Sequence, residues 1–480
     1  MRRRLRPLAA VLLAAALHMA VFDRGLGGDG WASFATLEAL ADRGAPWVEG
    51  ENRGVMNGLV RSAGGRLVLQ YPPGILALDA LPFLAGRALD AILPAGWLAR
   101  GADLPPAGRV PRGVFLPAAM IVLARNLATL LGLLWIGRAL RRMEIAEGGF
   151  PERIAAAAVA LTFFGGPLIF YSLVGMSHAP AFALAALLLL VLVRQRETGS
   201  ARLALAAGAI VGAATLVRYG SIVLAAPAVL AMLVMPAVPV MPPIALVPHR
   251  PGLKSRATDG RPLKGTAKNL LAFGAGLVLM LLPLPFWWEG LFGSWRPPYG
   301  GTWVITAASP WNVLLSPVHG LFWFHPALLL AAIGLAVMAS REIARRTPGW
   351  GCIASVWFLA LAVLYGWWSE WSNPGGFGQR FLIDALPALA VGFAAFLEGG
   401  RRRLKGTIAG VAALLGYLLF FSAVGGLVPP PAGLPWPQRL ADYAPLFRDP
   451  PGPAGLVDAL RRASLPARAL AGLAGSPPPR

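Results

Sequence analysis

Long apolar runs separated by short polar segments dominate the hydrophobicity pattern of this 480-residue chain. A helix needs about 20 predominantly apolar residues to cross a bilayer. The runs that meet this requirement lie roughly at residues 7–22, 114–137, 153–170, 178–193, 203–220, 221–240, 268–288, 321–340, 351–367, 381–397 and 406–426. The pattern therefore predicts an all-α polytopic membrane protein with about 11 transmembrane helices.

Basic residues form six clusters between these runs, and they predict how the chain is oriented. Loops on the cytoplasmic side of a membrane are enriched in Lys and Arg, and placing all six clusters on that side is consistent with alternating spans. We therefore expect a multi-pass protein of the cytoplasmic membrane, with its N-terminus in the cytoplasm and its C-terminus in the periplasm. The clusters cover residues 2–6, 138–153, 194–202, 250–268, 341–346 and 401–405.

The N-terminus, Met1-Arg-Arg-Arg followed by an apolar run, has two features of a signal peptide. The residues around His18-Met19-Ala20 make a poor cleavage site, and many further apolar runs follow. We therefore expect the first run to remain as an uncleaved span.

The chain divides into a transmembrane domain, 1–426, and an outer-face tail, 427–480, predicted to be partly amphipathic and partly disordered. A long first loop on the outer face, about 23–113, belongs to the transmembrane domain. Between Gly30 and Arg43 the apolar residues fall on one helical face, which predicts an interfacial helix lying flat on the membrane. These residues are Trp31, Phe34, Leu37, Leu40 and Ala41.

The composition supports a membrane protein and excludes several other classes. Only 14% of the residues are charged, 56% are hydrophobic and the mean hydropathy is +0.62, so a soluble surface could not be covered. The net charge of +21 lies in clusters between apolar runs, so no nucleic-acid partner is expected. Cys352 is the only cysteine, which excludes an intramolecular disulfide and a thiolate metal cluster.

The chain has no phosphate loop ending in Lys-Ser/Thr, no His-Glu-x-x-His and no Gly-x-Ser-x-Gly. Its candidate chemistry lies instead in polar residues near the predicted outer ends of the spans. Several such residues on one membrane face indicate a pocket for an anion, and guanidinium is the group best matched to phosphate. Metal binding by the histidines stays open, although no ligand spacing recurs. The residues are His178, Arg218, His319, His325 and Arg380.

Two further charged residues each allow two interpretations. Asp29 follows the first span, where an aspartate suits the N-cap of the next helix. A carboxylate at this boundary also suits a general base that meets a lipid-borne substrate. Arg125 lies inside the second apolar run, where an unpaired charge is costly. It either forms a structural pair with another span or serves the function directly.

Tryptophan is concentrated in one part of the chain, with eleven of the sixteen between Trp287 and Trp371. Most of these positions are predicted on the outer side. They are typical of an interfacial aromatic belt. They also suit the stacking of a sugar or an isoprenoid in a groove.

A series of short motifs, in this order, resembles the GT-C superfamily of integral membrane glycosyltransferases, of the protein-mannosyltransferase and aminoarabinose-transferase type. The resemblance covers most of the first 400 residues and depends on the order of loose motifs. The motifs are Gly28-Asp29-Gly30, Tyr71-Pro72-Pro73-Gly74 with Pro82-Phe83, Phe164-Gly165-Gly166-Pro167 with Tyr171-Ser172 and Ser177-His178, Leu216-Val217-Arg218, Ser316-Pro317-Val318-His319-Gly320-Leu321-Phe322 and Gly376-Phe377-Gly378-Gln379-Arg380-Phe381.

The resemblance implies a transfer of sugar from a polyprenyl-phosphate donor on the outer face of the membrane. Asp29 matches the acidic residue of the first outer loop that such enzymes need. Many relatives carry a second acidic residue beside it; here Gly30 follows, which argues against a metal-bridging acidic pair and leaves a divalent metal cofactor open. Tyr71, in its Pro-Pro-Gly motif, is predicted to bind substrate.

The residues fit this reaction on chemical grounds as well. A phosphate leaving group is a weak base, so one carboxylate that activates the acceptor hydroxyl can suffice. Stabilising the departing phosphate is an electrostatic task for arginines. We expect Asp29 to be the base and Arg218 and Arg380 to bind the phosphate, with His178 and His319 in the same groove.

Two other functions remain open from the sequence. A flippase or transporter for lipid-linked sugars would share the hydropathy, and Arg125 would suit it. The long first loop and the absence of paired, similarly interrupted halves argue against it. An outer-face polysaccharide ligase or polymerase would use a diphosphate-linked donor. The sugar, the acceptor and the oligomeric state are not encoded in any recognisable motif.

Overall fold

A computed structural model describes residues 6–22, 26, 28–48, 59–62, 64–93, 115–143, 150–234, 262–295, 305–306, 309–316, 319–369, 379–398 and 402–424. Helices make up most of this part of the chain. In the first half they are α1 (Arg6–Phe22), α2 (Gly28–Arg43), α3 (Gly74–Ile92), α4 (Phe115–Arg142), α5 (Glu152–Phe164), α6 (Leu168–Tyr171), α7 (His178–Thr198), α8 (Ala201–Val217) and α9 (Ala225–Val234).

The second half of the chain is also helical where it is described. Its helices are α10 (Pro262–Leu281), α11 (Pro283–Phe292), α12 (Ser309–Leu315), α13 (Leu321–Phe324), α14 (Pro326–Ala344), α15 (Trp350–Gly366), α16 (Leu386–Glu398) and α17 (Arg402–Val424). Two 3-10 turns, Tyr219–Leu224 and Arg380–Ala385, lead directly into α9 and α16. The predicted C-terminal tail, 427–480, lies outside the described residues.

Five helical segments are long and apolar enough to cross a membrane: Leu116–Arg142, His178–Thr198, Gly265–Phe292, Pro326–Ala344 and Arg380–Glu398. Four shorter apolar segments accompany them: Pro7–Val21, Ala201–Val217, Tyr219–Val234 and Trp350–Gly366. The prediction of an all-α, multi-pass membrane protein is thus confirmed. The total of eleven spans stays a prediction.

Two predicted spans are each split in the structure by glycine or proline. The run at 153–170 contains the end of α5 at Phe164, and α6 begins only after Gly165-Gly166-Pro167. The run at 321–340 contains the short α13, and α14 begins at Pro326, a position where proline fits because the first helical N–H needs no partner. Hydropathy averages over such breaks because it does not register backbone conformation.

Glycine allows the long helices to pack at close range. A Cβ at Gly276 of α10 would overlap the carbonyl oxygen of Leu205 in α8, and a Cβ at Gly334 of α14 would overlap that of Gly392 in α16. In a bilayer the surrounding lipid is as apolar as the helices, so association depends on close packing, which small residues permit. These contacts hold α8 to α10 and α14 to α16.

The first loop folds onto the helices as a small layer with its own core. Strands β1 (Trp47–Val48), β2 (Leu59–Arg61) and β3 (Leu67–Leu69) form an antiparallel sheet in the order β1-β3-β2. A group of buried residues, here called the first-loop cluster, joins α2, α3 and β3 to α4, α7 and α8. Its members are Leu26, Ala32, Phe34, Leu37, Leu69, Ile75, Leu76, Phe83, Ala118, Ile121, Val122, Ala181 and Val217.

The amphipathic helix predicted at Gly30–Arg43 is present as α2, but its apolar face contacts protein. Phe34 and Leu37 are buried in the first-loop cluster, and the Phe34 ring packs edge-to-face on Phe83 of α3 at 5.4 Å. The sequence pattern identified the helix and its apolar face, whereas α3 and β3, which come later in the chain, cover that face.

Gly276→Leu tests the close packing of α8 and α10. We expect a lower apparent unfolding temperature in detergent, since even moderate overpacking costs about 1–3 kcal/mol and here the new side chain meets backbone. Gly274→Leu on the same helix is the matched control, because a Cβ there has no neighbouring atom within 4 Å. Equal thermal stability of the two variants would contradict the packing described.

Candidate active site

Arg125 of α4 forms a fully buried set of polar contacts between the first loop and the spans. Its Nε donates to Asp79 Oδ1 at 3.1 Å and its Nη2 pairs with Asp79 Oδ2, while Nη1 donates to the carbonyl of Gly175. The side chains of Arg125 and Asp79 are 3% and 2% exposed. The structural pair considered for Arg125 therefore exists, but its partner lies on α3, a helix of the first loop, and not on another span.

Gly30 places the N-terminal turn of α2 directly against this pair. A Cβ at Gly30 would overlap the Gly175 carbonyl oxygen and lie 3.2 Å from Arg125 Nη1. Asp29 immediately precedes Gly30 and lies inside the first turn of α2, which begins at Gly28, so it is not the N-cap residue. The side chain of Asp29 lies outside the described part of the structure, and its role as a base stays a prediction.

Arg218 lies at a break between α8 and the following 3-10 turn and is held by a buried carboxylate. Its backbone is extended, with φ −148° and ψ 118°, and its Nη1 donates to Asp384 Oδ1 at 3.2 Å. Ser221 donates to the other oxygen of Asp384 at 2.6 Å. Asp384 is fully buried, and its carbonyl accepts from Trp357 Nε1 at 3.0 Å. These contacts fix the guanidinium at the end of α8.

Arg380 begins the second 3-10 turn, which carries Asp384 and leads into α16. Its guanidinium lies over the Phe381 ring at 5.0 Å. Its Nε is buried without a hydrogen-bond partner, and within the described residues no carboxylate pairs with it. Arg380 is therefore the arginine of this region whose charge is least compensated.

His178 is buried at the start of α7, near three arginines. The guanidinium groups of Arg218, Arg380 and Arg125 are all close enough to act electrostatically on its ring. The ring is 2% exposed and stacks on Tyr171 at 4.8 Å. In the part of the chain that the structure describes, neither ring nitrogen has a hydrogen-bond partner.

An aromatic wall runs beside Arg218 and Arg380. Tyr365 of α15 lies under the Arg218 guanidinium at 5.9 Å and stacks on Phe381 at 5.2 Å, and Trp368 meets Phe381 edge-to-face at 4.8 Å. The arginines predicted to bind an anion thus lie beside aromatic rings, a combination that suits an anion with an apolar or sugar substituent, and the anion pocket itself stays a prediction.

The other two predicted substrate residues differ in position. Tyr71 packs against the first-loop cluster, which contains Val217, the neighbour of Arg218, and a Cβ at Gly74 would lie 2.6 Å from the Leu216 carbonyl. Its Pro-Pro-Gly segment therefore adjoins the end of α8. His319 lies before α13 and stacks on Phe324 at 6.2 Å. A role for either residue in substrate binding stays a prediction.

Sequence reasoning missed the two carboxylates that hold the arginines. Asp79 and Asp384 both lie in apolar surroundings, and Asp384 falls inside a predicted span, where a charged residue is expected to have a partner. Among the described residues no group of three His, Cys, Asp or Glu side chains could hold a metal ion. Since the Asp29 side chain is not among them, a divalent metal stays open.

Comparison with known proteins gives a similarity of fold. No protein-family model matches the chain, and no curated protein matches it in sequence. The crystal structure of ArnT from Cupriavidus metallidurans bound to undecaprenyl phosphate matches with a TM-score of 0.53 and 17% identity, over 97% of this chain and 74% of that chain. The apo structure of the same ArnT matches with a TM-score of 0.45 and 14% identity, over 97% and 73%.

A third similar structure is the oligosaccharyltransferase of Archaeoglobus fulgidus, with a TM-score of 0.43 and 12% identity, over 87% of this chain and 57% of that one. Because all these identities are low, the match to undecaprenyl-phosphate-bound ArnT establishes the fold and not the activity. The resemblance to GT-C membrane glycosyltransferases is confirmed at that level.

Asp79→Ala tests the buried pair, because it leaves the Arg125 charge without its carboxylate. Breaking a buried ion pair from one side costs about 3–5 kcal/mol, so we expect a marked loss of folded, monodisperse protein on heating. Size-exclusion chromatography after a temperature series measures it. Asp42→Ala is the control, since its pair with Arg87 is 43–48% exposed and such pairs contribute at most about 1 kcal/mol. A similar loss in both variants would contradict the role of the buried pair.

Proposed function

We propose that this protein is a membrane glycosyltransferase, which moves a sugar from a polyprenyl-phosphate donor to an acceptor hydroxyl on the outer face of the cytoplasmic membrane. The observation that carries the proposal is that the guanidinium groups of Arg125, Arg218 and Arg380 all lie within electrostatic range of the buried His178. The fold supports it, because the ArnT crystal structure it resembles has undecaprenyl phosphate bound.

The arginines differ in what they offer to a phosphate. Arg125 and Arg218 are each paired with a buried carboxylate, so much of their charge is compensated within the protein. Arg380 has no such partner among the described residues, and it provides the strongest attraction for an anion. Two preorganised guanidiniums at positions 218 and 380 would stabilise the charge that develops on the leaving phosphate.

The proposed transfer needs one proton acceptor. The acceptor oxygen forms a bond to the anomeric carbon as the bond between that carbon and the phosphate oxygen breaks. The bonding electrons leave with polyprenyl phosphate, and the proton of the acceptor hydroxyl passes to the carboxylate of Asp29. Since Gly30 packs against Arg125 and Gly175, the backbone next to Asp29 is held close to Arg125.

A flippase is the main alternative. The pairing of Arg125 with Asp79 argues against it. A guanidinium whose charge is compensated by a buried carboxylate is poorly suited to carry an anion through the bilayer. Arg218, Arg380 and His178 lie at helix ends: Arg218 follows α8, Arg380 begins the 3-10 turn before α16, and His178 begins α7. A transferase would use such residues at the membrane rim.

Asp29→Asn is expected to abolish transfer while the protein stays folded, because the amide cannot accept the proton. Wild type and variant in lipid nanodiscs receive radiolabelled polyprenyl-phosphate sugars, and the release of polyprenyl phosphate is measured. Asp42→Asn, on the same helix, is the control. Full activity of Asp29→Asn would refute the assignment of the base. A donor that binds to wild type without being consumed would favour the flippase.

Arg380→Gln is expected to raise the KM for the donor about ten-fold or more. A hydrogen bond to a charged group contributes roughly 1.5–3 kcal/mol, and 1.4 kcal/mol corresponds to a factor of ten. Arg380→Lys should fall between the wild type and Arg380→Gln, because it keeps the charge and loses the planar fork. Arg345→Gln, an exposed position in a basic cluster, serves as the control. An unchanged KM in Arg380→Gln would remove this residue from the site.

A further inference from the structure

A cavity of about 660 Å³ lies between the first-loop sheet and α11. Trp47, Ser62 and Arg66 line it from the sheet side, and Phe286, Trp287 and Glu289 line it from α11. Its volume falls within the range of about 300–1,000 Å³ that is typical of small-molecule sites. None of these six residues belongs to the arginine site.

The walls combine flat aromatic surfaces with hydrogen-bonding groups. The Arg66 guanidinium lies 4.1 Å from the centre of the Trp47 ring, a contact that orients both side chains. Trp47, Phe286 and Trp287 supply the aromatic surfaces, and Ser62, Arg66 and Glu289 supply the hydrogen-bonding groups.

The charges of the cavity decide against the phosphate of the donor. Glu289 and Arg66 both line it, so the two formal charges cancel and the carboxylate would repel an anion. A polyhydroxylated ligand suits these walls better. Sugar rings present C–H faces that pack on indoles, and their hydroxyls both donate and accept hydrogen bonds, which matches a carboxylate, a guanidinium and a serine hydroxyl.

Helix α11 also connects the cavity to the arginine site. Trp287 lines the cavity and packs against the first-loop cluster, which contains Val217. The next residue, Trp288, donates from its Nε1 to the hydroxyl of Tyr219 at 2.8 Å. Because Val217 and Tyr219 flank Arg218 in sequence, α11 links the wall of the cavity to the segment that carries the guanidinium assigned to the donor phosphate.

We propose that this cavity binds a glycan, and that this glycan carries the hydroxyl to which the sugar is transferred. The glycan could be free or could be the headgroup of a glycolipid, since the chemistry of recognition is the same. The role as acceptor rests on the function proposed above, whereas the binding of a glycan does not. Binding is therefore measured without any donor.

The test uses the full chain in nanodiscs and saturation-transfer NMR with three oligosaccharides: neutral maltotetraose, acidic tetragalacturonate and basic tetraglucosamine (the fully deacetylated chitosan tetramer). We expect at least one of them to bind wild type, and binding to weaken about ten-fold or more in Trp47→Ala and Glu289→Gln. Glu289 is exposed, so Glu289→Gln keeps the fold. Trp311→Ala, at a tryptophan of α12 that is 61% exposed, should bind like wild type.

The proposal is overturned if none of the three oligosaccharides binds wild type, or if Trp47→Ala and Glu289→Gln bind as wild type does. A second arm places the ganglioside GM1 in the nanodisc. Competition between GM1 and the free oligosaccharide would identify a glycolipid headgroup as an accepted source, and its absence would identify a free glycan. Either result supports a glycan site.

A separate readout distinguishes the acceptor role from the proposed function. With donor present, both cavity variants should lose transfer to the bound glycan while the slow hydrolysis of the donor by water continues. Loss of hydrolysis in these variants would overturn the assignment of the cavity to the acceptor. If wild type binds a glycan but releases no polyprenyl phosphate from any donor, the proposed function fails and the acceptor role fails with it, while the glycan site stands.

Discussion

The burial of the Arg125 guanidinium is the constraint on which the position of the first loop depends. Removing an ion from water costs several kcal/mol, so a buried arginine requires a carboxylate and further hydrogen-bond acceptors in good geometry. Asp79 of α3 and the carbonyl of Gly175 meet this requirement from two distant segments. Gly30 of α2 packs on the same group. A single charge thereby fixes α2, α3 and the approach to α7 relative to α4.

A second buried carboxylate, Asp384, has the corresponding role for Arg218. Asp384 joins Arg218 and Ser221, so the break after α8 and the 3-10 turn before α16 are held together. Both arginines thus act in two ways: they satisfy buried carboxylates, and they present positive charge beside His178. Arg380 has no such carboxylate among the described residues, so its charge is the least compensated of the three.

Helix α11 contacts two regions with different chemistry. Trp288 donates a hydrogen bond to Tyr219, the neighbour of Arg218. Trp287, the preceding residue, lines a cavity whose charged residues balance and whose aromatic surfaces suit sugar rings. In the transfer proposed above, the donor and the acceptor would therefore contact different residues, and they would not compete for one pocket.

Sequence patterns alone predicted the helical membrane architecture and the amphipathic helix α2, and they selected His178, Arg218 and Arg380 as candidate site residues, whose role stays a prediction. These features depend on local hydropathy, on periodicity and on single residues at the ends of apolar runs. The pairing of each arginine with its carboxylate and the position of the cavity are visible only in the folded structure. Asp79 and Arg125 are 46 residues apart, and Arg218 and Asp384 are 166 apart. Pairing over such separations depends on how the helices pack, and no local pattern in the chain records it.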